Sequence, residues 1–372
     1  MDINTKKFKQ INSFTGIRFL MILVIMCSHF EFFERTEFAG QYWRYFHNAT
    51  MGVDYFFMLS GFGMMLSYIK NENVSQINIR SSILFAIKKI KKIYPIYLFS
   101  LVISIPYLMI ITYQNHSLTY IIGAIGAKFC LCLTLLQSAT GIMTLSNGIN
   151  SVGWFLSALF VIYLFSPLLL KAISQVNKRI VWAALIGFTG IYLFSLRMLS
   201  NIEKSTFFDN LVYGSPYSRI WIVCLGMVLG LVYIFFIEGK VINSKIALLL
   251  ESVVLILITC WFFARNGANE NYTRIVDLFL LILFMIVFSF EQGKISTLLG
   301  SRIFIKLGNI TMFLFLLHYP IRLYIDAIFK NTGFGENTLG CVAEAFLIII
   351  LSIVVSIVLS KKTNKIPEKS RR

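Results

Sequence analysis

Apolar runs of about 17 to 25 residues recur along the whole chain, each long enough to cross a hydrocarbon layer about 30 Å thick. The runs are continuous instead of alternating, which predicts helices and not barrel strands. In order, they place spans at about 14–33, 51–69, 93–112, 153–172, 180–199, 217–238, 245–264, 273–291, 308–328 and 339–360, about ten in all. A further apolar stretch at about 119–137 stands apart. As a full span it would move Lys171, Lys178 and Arg179 to the side opposite the earlier basic segments, so it reads as re-entrant or interfacial. The expectation is an all-α, polytopic transmembrane helix bundle forming one domain over residues 1–360, with a basic tail at 361–372.

Composition agrees with that reading: 57% hydrophobic residues, 35 Phe and a mean hydropathy of +0.76 are too apolar for a water-facing globule. The first run follows Lys6, Lys7 and Lys9 and resembles a secretory leader on the surface. It carries Arg18 and His29, lacks a small-residue cleavage pattern and is followed by many comparable runs, so it reads as a span.

A net charge of +17 raises the question of a nucleic-acid partner, and the placement of the charge answers it. Basic residues cluster between apolar runs, at Lys6–Lys9, Lys88–Lys92, Lys171–Arg179, Lys240–Lys245, Lys294–Lys306 and Lys361–Arg372. That is the positive-inside pattern of a multi-pass protein of the cell (cytoplasmic) membrane, with both termini cytoplasmic and membrane lipids, not nucleic acid, as neighbours. The six cysteines lie inside apolar runs without a CxxC pair or a histidine cluster, so neither a disulfide framework nor a metal site is expected.

Ionisable residues inside spans are the candidate chemistry. Arg18 and His29 are eleven residues apart in the first span, about 1100° of helix and so about 20° past three full turns. They are expected on one face, about 16 Å apart along the axis. Such residues usually face a bundle interior or wet cavity, which suggests a pathway, although a snorkelling Arg18 and a hydrogen-bonded His29 would also fit. Asp54 opens the second span and is expected near His29, where it would orient the imidazole or serve as an interfacial helix cap. Ser60 lies in Leu-Ser-Gly and not in a nucleophile elbow, so Ser60 and Gly61 read as close-packing residues. The basic run Lys88-Lys89-Ile90-Lys91-Lys92 would suit either a phosphate-rich ligand or anionic headgroups.

These residues resemble the acyltransferase-3 family of integral-membrane acyltransferases, which modify bacterial surface glycans and related acceptors. The resemblance runs over nearly the whole chain. It includes the Arg18-to-His29 spacing, Gly52-Val53-Asp54-Tyr55-Phe56-Phe57-Met58-Leu59-Ser60-Gly61-Phe62 and Lys92-Ile93-Tyr94-Pro95. It continues with Trp154-Phe155-Leu156-Ser157, Tyr163 and Pro167, then Arg219-Ile220 with Gly226 and Gly230, then Leu307-Gly308-Asn309-Ile310-Thr311 and Leu316-Leu317-His318-Tyr319-Pro320. The resemblance implies a catalytic His29, an essential Arg18, and acyl-CoA recognition by the basic motif, here Lys89 and Lys92 with Lys88 beside them. Two positions depart from the family pattern. Lysines stand at 89 and 92 where arginine is usual, which replaces bidentate phosphate binding by point charges. Leu159 stands where many members carry Glu.

Trp154, Arg219 and His318 complete the candidate set, on the acceptor side. Trp154 would be an interfacial anchor, a packing residue or a stacking platform for a sugar; Arg219 would snorkel or contact acceptor; His318, midway along its span, needs a polar contact inside the bundle. The expected function is O-acyl transfer, with acetyl-CoA as donor and an extracytoplasmic polysaccharide or other cell-envelope glycan as acceptor. His29 would act as general base or as acyl acceptor. Loops at about 34–50, 138–152 and 200–216, with aromatics and few charges, would recognise the acceptor. A transporter or flippase for a lipid-linked glycan is the alternative, a membrane scaffold without chemistry a third, and homo-oligomer formation stays open.

Overall fold

The computed structural model describes residues 10–46, 49–71, 78–113, 117–265 and 270–364, and among them there are helices, turns and loops but no strand. The Lys6–Lys9 cluster and most of the basic tail, 365–372, lie outside the described residues. The first half contains α1 (Asn12–Cys27), α2 (Ala39–Phe46), α3 (Thr50–Asn71), α4 (Ile79–Ile90), α5 (Tyr94–Tyr113), α6 (Leu118–Leu133), α7 (Met143–Ser146) and α8 (Trp154–Ser174). The second half contains α9 (Val181–Ser205), α10 (Pro216–Val232), α11 (Ser244–Ala264), α12 (Glu270–Phe288), α13 (Lys294–Leu299), α14 (Arg302–Asn309), α15 (Thr311–Thr332) and α16 (Thr338–Asn364).

Eight of the described segments are long and apolar enough to cross a membrane. The two other expected spans correspond to α3 and α12, which pack inside the bundle and carry buried Asp54, Arg274 and Asp277 among their apolar residues. The expected count of about ten is therefore approximate. The stretch expected to be re-entrant or interfacial folds as α6, whose 16 residues reach only about 24 Å at 1.5 Å per residue. Its last turn hangs on α5, where Tyr94 and Tyr97 donate from their hydroxyls to the Leu133 and Cys132 carbonyls at 2.7 and 3.0 Å.

The centre of the bundle is the contact of α3 with α10. Lipid gives little apolar drive for helices to associate, so close backbone approach has to supply the attraction. Gly61 and Gly226 permit it: a Cβ on Gly61 would overlap the Val223 carbonyl, and one on Gly226 the Met58 carbonyl. α10 is buried along almost its whole length, whereas α9, α11 and α16 turn wide apolar faces outward.

One proline leaves a polar backbone group to be satisfied inside the bundle. Pro320 has no N–H to offer, so the Leu316 carbonyl one turn earlier on α15 loses its helical donor. The Asn150 side chain donates to that carbonyl at 2.8 Å and to Ser100 Oγ at 3.0 Å, which binds the 147–153 segment against α15 and α5. The freed backbone group is thus satisfied within protein, as lipid requires.

Candidate functional site

α1 carries the first two candidate residues, and it ends earlier than the eleven-residue spacing assumed. The helix stops at Cys27, and Ser28, His29 and Phe30 form a tighter turn in which the His29 and Phe30 N–H groups donate to the Met26 and Cys27 carbonyls at 3.0 and 3.1 Å. His29 therefore stands just beyond the helix, and helical phase does not carry over to it from Arg18. The Ser28 hydroxyl donates to Ile25 O at 2.8 Å, and the Tyr42 hydroxyl on α2 donates to the Cys27 carbonyl at 2.6 Å. These contacts serve the carbonyls that the end of α1 would otherwise leave open.

The half-buried His29 ring faces α15, with its centroid 5.4 Å from that of His318 and 5.5 Å, edge-on, from that of Tyr319. His318 is fully buried, and its Nδ1 lies 3.1 Å from the Leu314 carbonyl. Its Nε2 has no hydrogen-bond partner among the described residues. One turn further along α15, the Arg322 guanidinium lies over the Tyr319 ring at 5.6 Å and donates to Glu31 Oε2 at 2.9 Å. Glu31 follows His29 by two residues, so the histidine turn is fastened to the helix that carries His318.

Neither Arg322 nor Glu31 was a candidate from sequence. The usable signal was the four-residue spacing of His318 and Arg322 within an apolar run, which puts both on one helical face. Beyond them, Arg35 pairs with Asp326, and the fully buried Glu344 of α16 lies close to both.

Asp54 is not set against His29 as expected; it forms a buried ion pair with Arg219 of α10. The reason is helical phase. Gly52 faces α1, against Ile25 and the Met21 carbonyl, and a residue two positions later points about 200° away, toward α10. Arg219 is fully buried, not snorkelling. Its Nε donates to the Tyr213 carbonyl at 2.8 Å, and the guanidinium lies within 5.2–5.8 Å of the Tyr213, Trp154 and Phe57 rings. Trp154 is a buried wall of this aromatic box, only 7% exposed.

At the other end of α1, Arg18 lines a cavity of about 260 Å³ together with Gln10, Thr15, Ser67 and Lys70. Lys70, at the end of α3, was not a candidate from sequence. α4 packs against α8. Asn78 caps it, accepting from the Ser81 N–H at 2.8 Å while its own N–H donates to Ser81 Oγ at 2.9 Å. Ala86 and Ile90 fix the buried face of α4. Lys89 lies on that side, with its ammonium over the Phe85 ring at 5.3 Å, whereas Lys88 and Lys92 are exposed. Phe85 meets Tyr163, whose hydroxyl is 2.8 Å from Ser60 Oγ. Burial, reinforced by the Lys88 charge, holds the Lys89 ammonium below the ordinary lysine range. Among the described residues no cluster of three His, Cys, Asp or Glu is arranged to hold a metal ion.

The arrangement thus has a partly open imidazole at one end of α1 and a basic cavity at the other. Comparison with known proteins gives this geometry a family. A curated relative, acyltransferase MdmB of Streptomyces mycarofaciens, is 24% identical over 361 residues, covering 92% of this chain and 87% of the relative. No solved structure matches. The family model for the acyltransferase-3 type of acyltransferase domain matches residues 11–361, and the chain belongs to that family of membrane acyltransferases.

Proposed function

We propose that this acyltransferase moves an acetyl group from acetyl-CoA in the cytoplasm to a hydroxyl of a cell-envelope glycan on the far side of the membrane. The observation that carries the reading is the separation of two unlike ends on one helix: basic side chains around the cavity at Arg18, and a half-buried imidazole without a hydrogen-bond partner among the described residues at His29. Arg18, Lys70 and the inward Lys89 attract the anionic donor, with Lys88 and Lys92 adding charge at the entrance. His29 removes the proton from the acceptor hydroxyl, or first takes the acyl group itself. His318 supports it from α15, while Arg219 and Trp154 shape the acceptor side from beneath. Asp54, already paired with Arg219, contributes to that scaffold. On this reading both termini and the basic loops are cytoplasmic.

The test uses inverted membrane vesicles containing the protein, supplied with acetyl-CoA labelled in the acetyl group. Label should enter the lumenal glycan with wild-type protein and not with correctly inserted His29→Ala. Equal labelling by both proteins would remove His29 from the chemistry. Movement of a lipid-linked glycan without acetylation would favour a flippase.

A further inference from the structure

A base that accepts a proton at one ring nitrogen works best when its second nitrogen has somewhere to send positive charge. In a serine-protease triad a carboxylate serves that purpose. Among the described residues no carboxylate takes this place beside His29: Asp54 is paired with Arg219, Glu31 is engaged by Arg322, and position 159 is leucine. The group facing His29 is another imidazole.

The tautomer of that imidazole follows from its contacts. A carbonyl oxygen only accepts, so His318 Nδ1, 3.1 Å from Leu314 O, carries the hydrogen. Its Nε2 then holds a lone pair, is fully buried and has no donor among the described residues. Leaving such an acceptor unmade is costly, which points to a donor that arrives during the reaction.

The separation fits His29 as that donor. A ring nitrogen lies about 1.1 Å from its ring centre, so two imidazoles joined by a hydrogen bond of about 3 Å have centres about 5 Å apart. The observed value is 5.4 Å with the rings tilted by 39°, so a small rotation of the half-buried His29 ring closes the bond. Among the described residues the charged and titratable groups around the pair are Tyr319, Arg322 and Glu31, the latter two engaged with each other, with Tyr107 and Asp326 beyond them.

We infer that His318 is the proton-accepting partner of His29, a positioning residue that acts through it. This rests on the proposed role of His29. As the acceptor oxygen attacks the thioester carbonyl, its proton passes to the outward nitrogen of His29, and the inward His29 N–H is donated to His318 Nε2. The carbon–sulfur bond then breaks, the leaving CoA thiolate takes the proton from the outward nitrogen of His29, and His318 gives the inward one back, so that both imidazoles are neutral again. The products are the ester and CoA thiol, with no proton gained or lost by the protein.

The test compares wild type, His318→Gln, His318→Ala and His29→Ala in inverted membrane vesicles with acetyl-labelled acetyl-CoA. Thermal unfolding and gel filtration in detergent confirm that each variant is folded. Glutamine keeps an acceptor near the Nε2 position but cannot take a proton. The expected result for His318→Gln is a fall in kcat of about 100-fold or more, with KM for acetyl-CoA within about threefold and a changed pH–rate profile. Added imidazole should restore part of the His318→Ala rate. A folded His318→Gln protein with wild-type kcat and pH profile, or His318→Ala that imidazole does not rescue, overturns the pairing while leaving His29 in place. Full activity of His29→Ala overturns both readings.

Discussion

Arg322 on α15 donates to the Glu31 carboxylate at 2.9 Å, across 291 residues of chain, and so ties the turn carrying His29 to the helix carrying His318. Glu31 is about half exposed, at 53%, so water weakens the attraction to about 1 kcal/mol or less. The importance of the contact is geometric. Small displacements of a catalytic group cost far more in rate than the tether contributes to stability.

Glu31→Gln should therefore lower acetyl transfer by about two- to fivefold and Arg322→Ala by about tenfold or more, since the latter also uncovers the Tyr319 ring. The exchange Glu31→Arg with Arg322→Glu should recover part of the loss. Steady-state kcat in vesicles checks this, and losses that merely add in the double variant would show that no tether operates.

The ion pair of Asp54 with Arg219 predicts a different phenotype. Asp54→Asn leaves a fully buried guanidinium without its counter-charge, at a cost of about 3–5 kcal/mol. The variant should give a sharply lower Tm and yield, while turnover per folded molecule stays within about threefold. A stable but inactive Asp54→Asn protein would return Asp54 to the chemistry.

Helix contact can be tested at glycines. Gly226→Ala would set a Cβ onto the Met58 carbonyl and separate α10 from α3, destabilising by about 1–3 kcal/mol or more. Gly187→Ala on α9 meets nothing within 4 Å and should hold or raise Tm, because alanine favours helix by about 1 kcal/mol over glycine. Thermal unfolding in detergent distinguishes the two.

The lowered ammonium of Lys89 gives the donor end a pH dependence. Phosphate oxygens bind the protonated form, so binding is full at low pH and weakens as pH rises through the depressed value. KM for acetyl-CoA should climb at a lower pH than an ordinary lysine would produce. Lys89→Arg, always charged, should flatten that rise. A KM profile that Lys89→Arg leaves unchanged would remove Lys89 from donor binding.

Much of the bundle was legible because lipid imposes length: the runs around 153–172, 217–238 and 339–360 became α8, α10 and α16. The short α6 was set apart for a different reason, the charge balance around it. Direction around a helix was harder. Gly52 and Asp54 are two residues apart and face different neighbours, which no count of apolar residues reveals. The end of α1 at Cys27 depends on a serine and a tyrosine that satisfy its terminal carbonyls, and one of them, Tyr42, comes from another helix. Glu31 opens a single short 3-10 turn, Glu31–Arg35, too brief for periodicity to give information, so its partnership with Arg322 had no local signature.

The α3–α10 seam also fixes an order of events in the making of the protein. Asp54 and Arg219 are separated by 165 residues, so at synthesis rates of about 5–20 residues per second the aspartate is made roughly 8 to 33 seconds before its arginine. Through that interval α3 has to reside where water, lipid headgroups or the insertion machinery can accommodate an unmatched carboxylate. The bundle centre therefore closes late, when α10 emerges and its glycine face meets the helix already waiting.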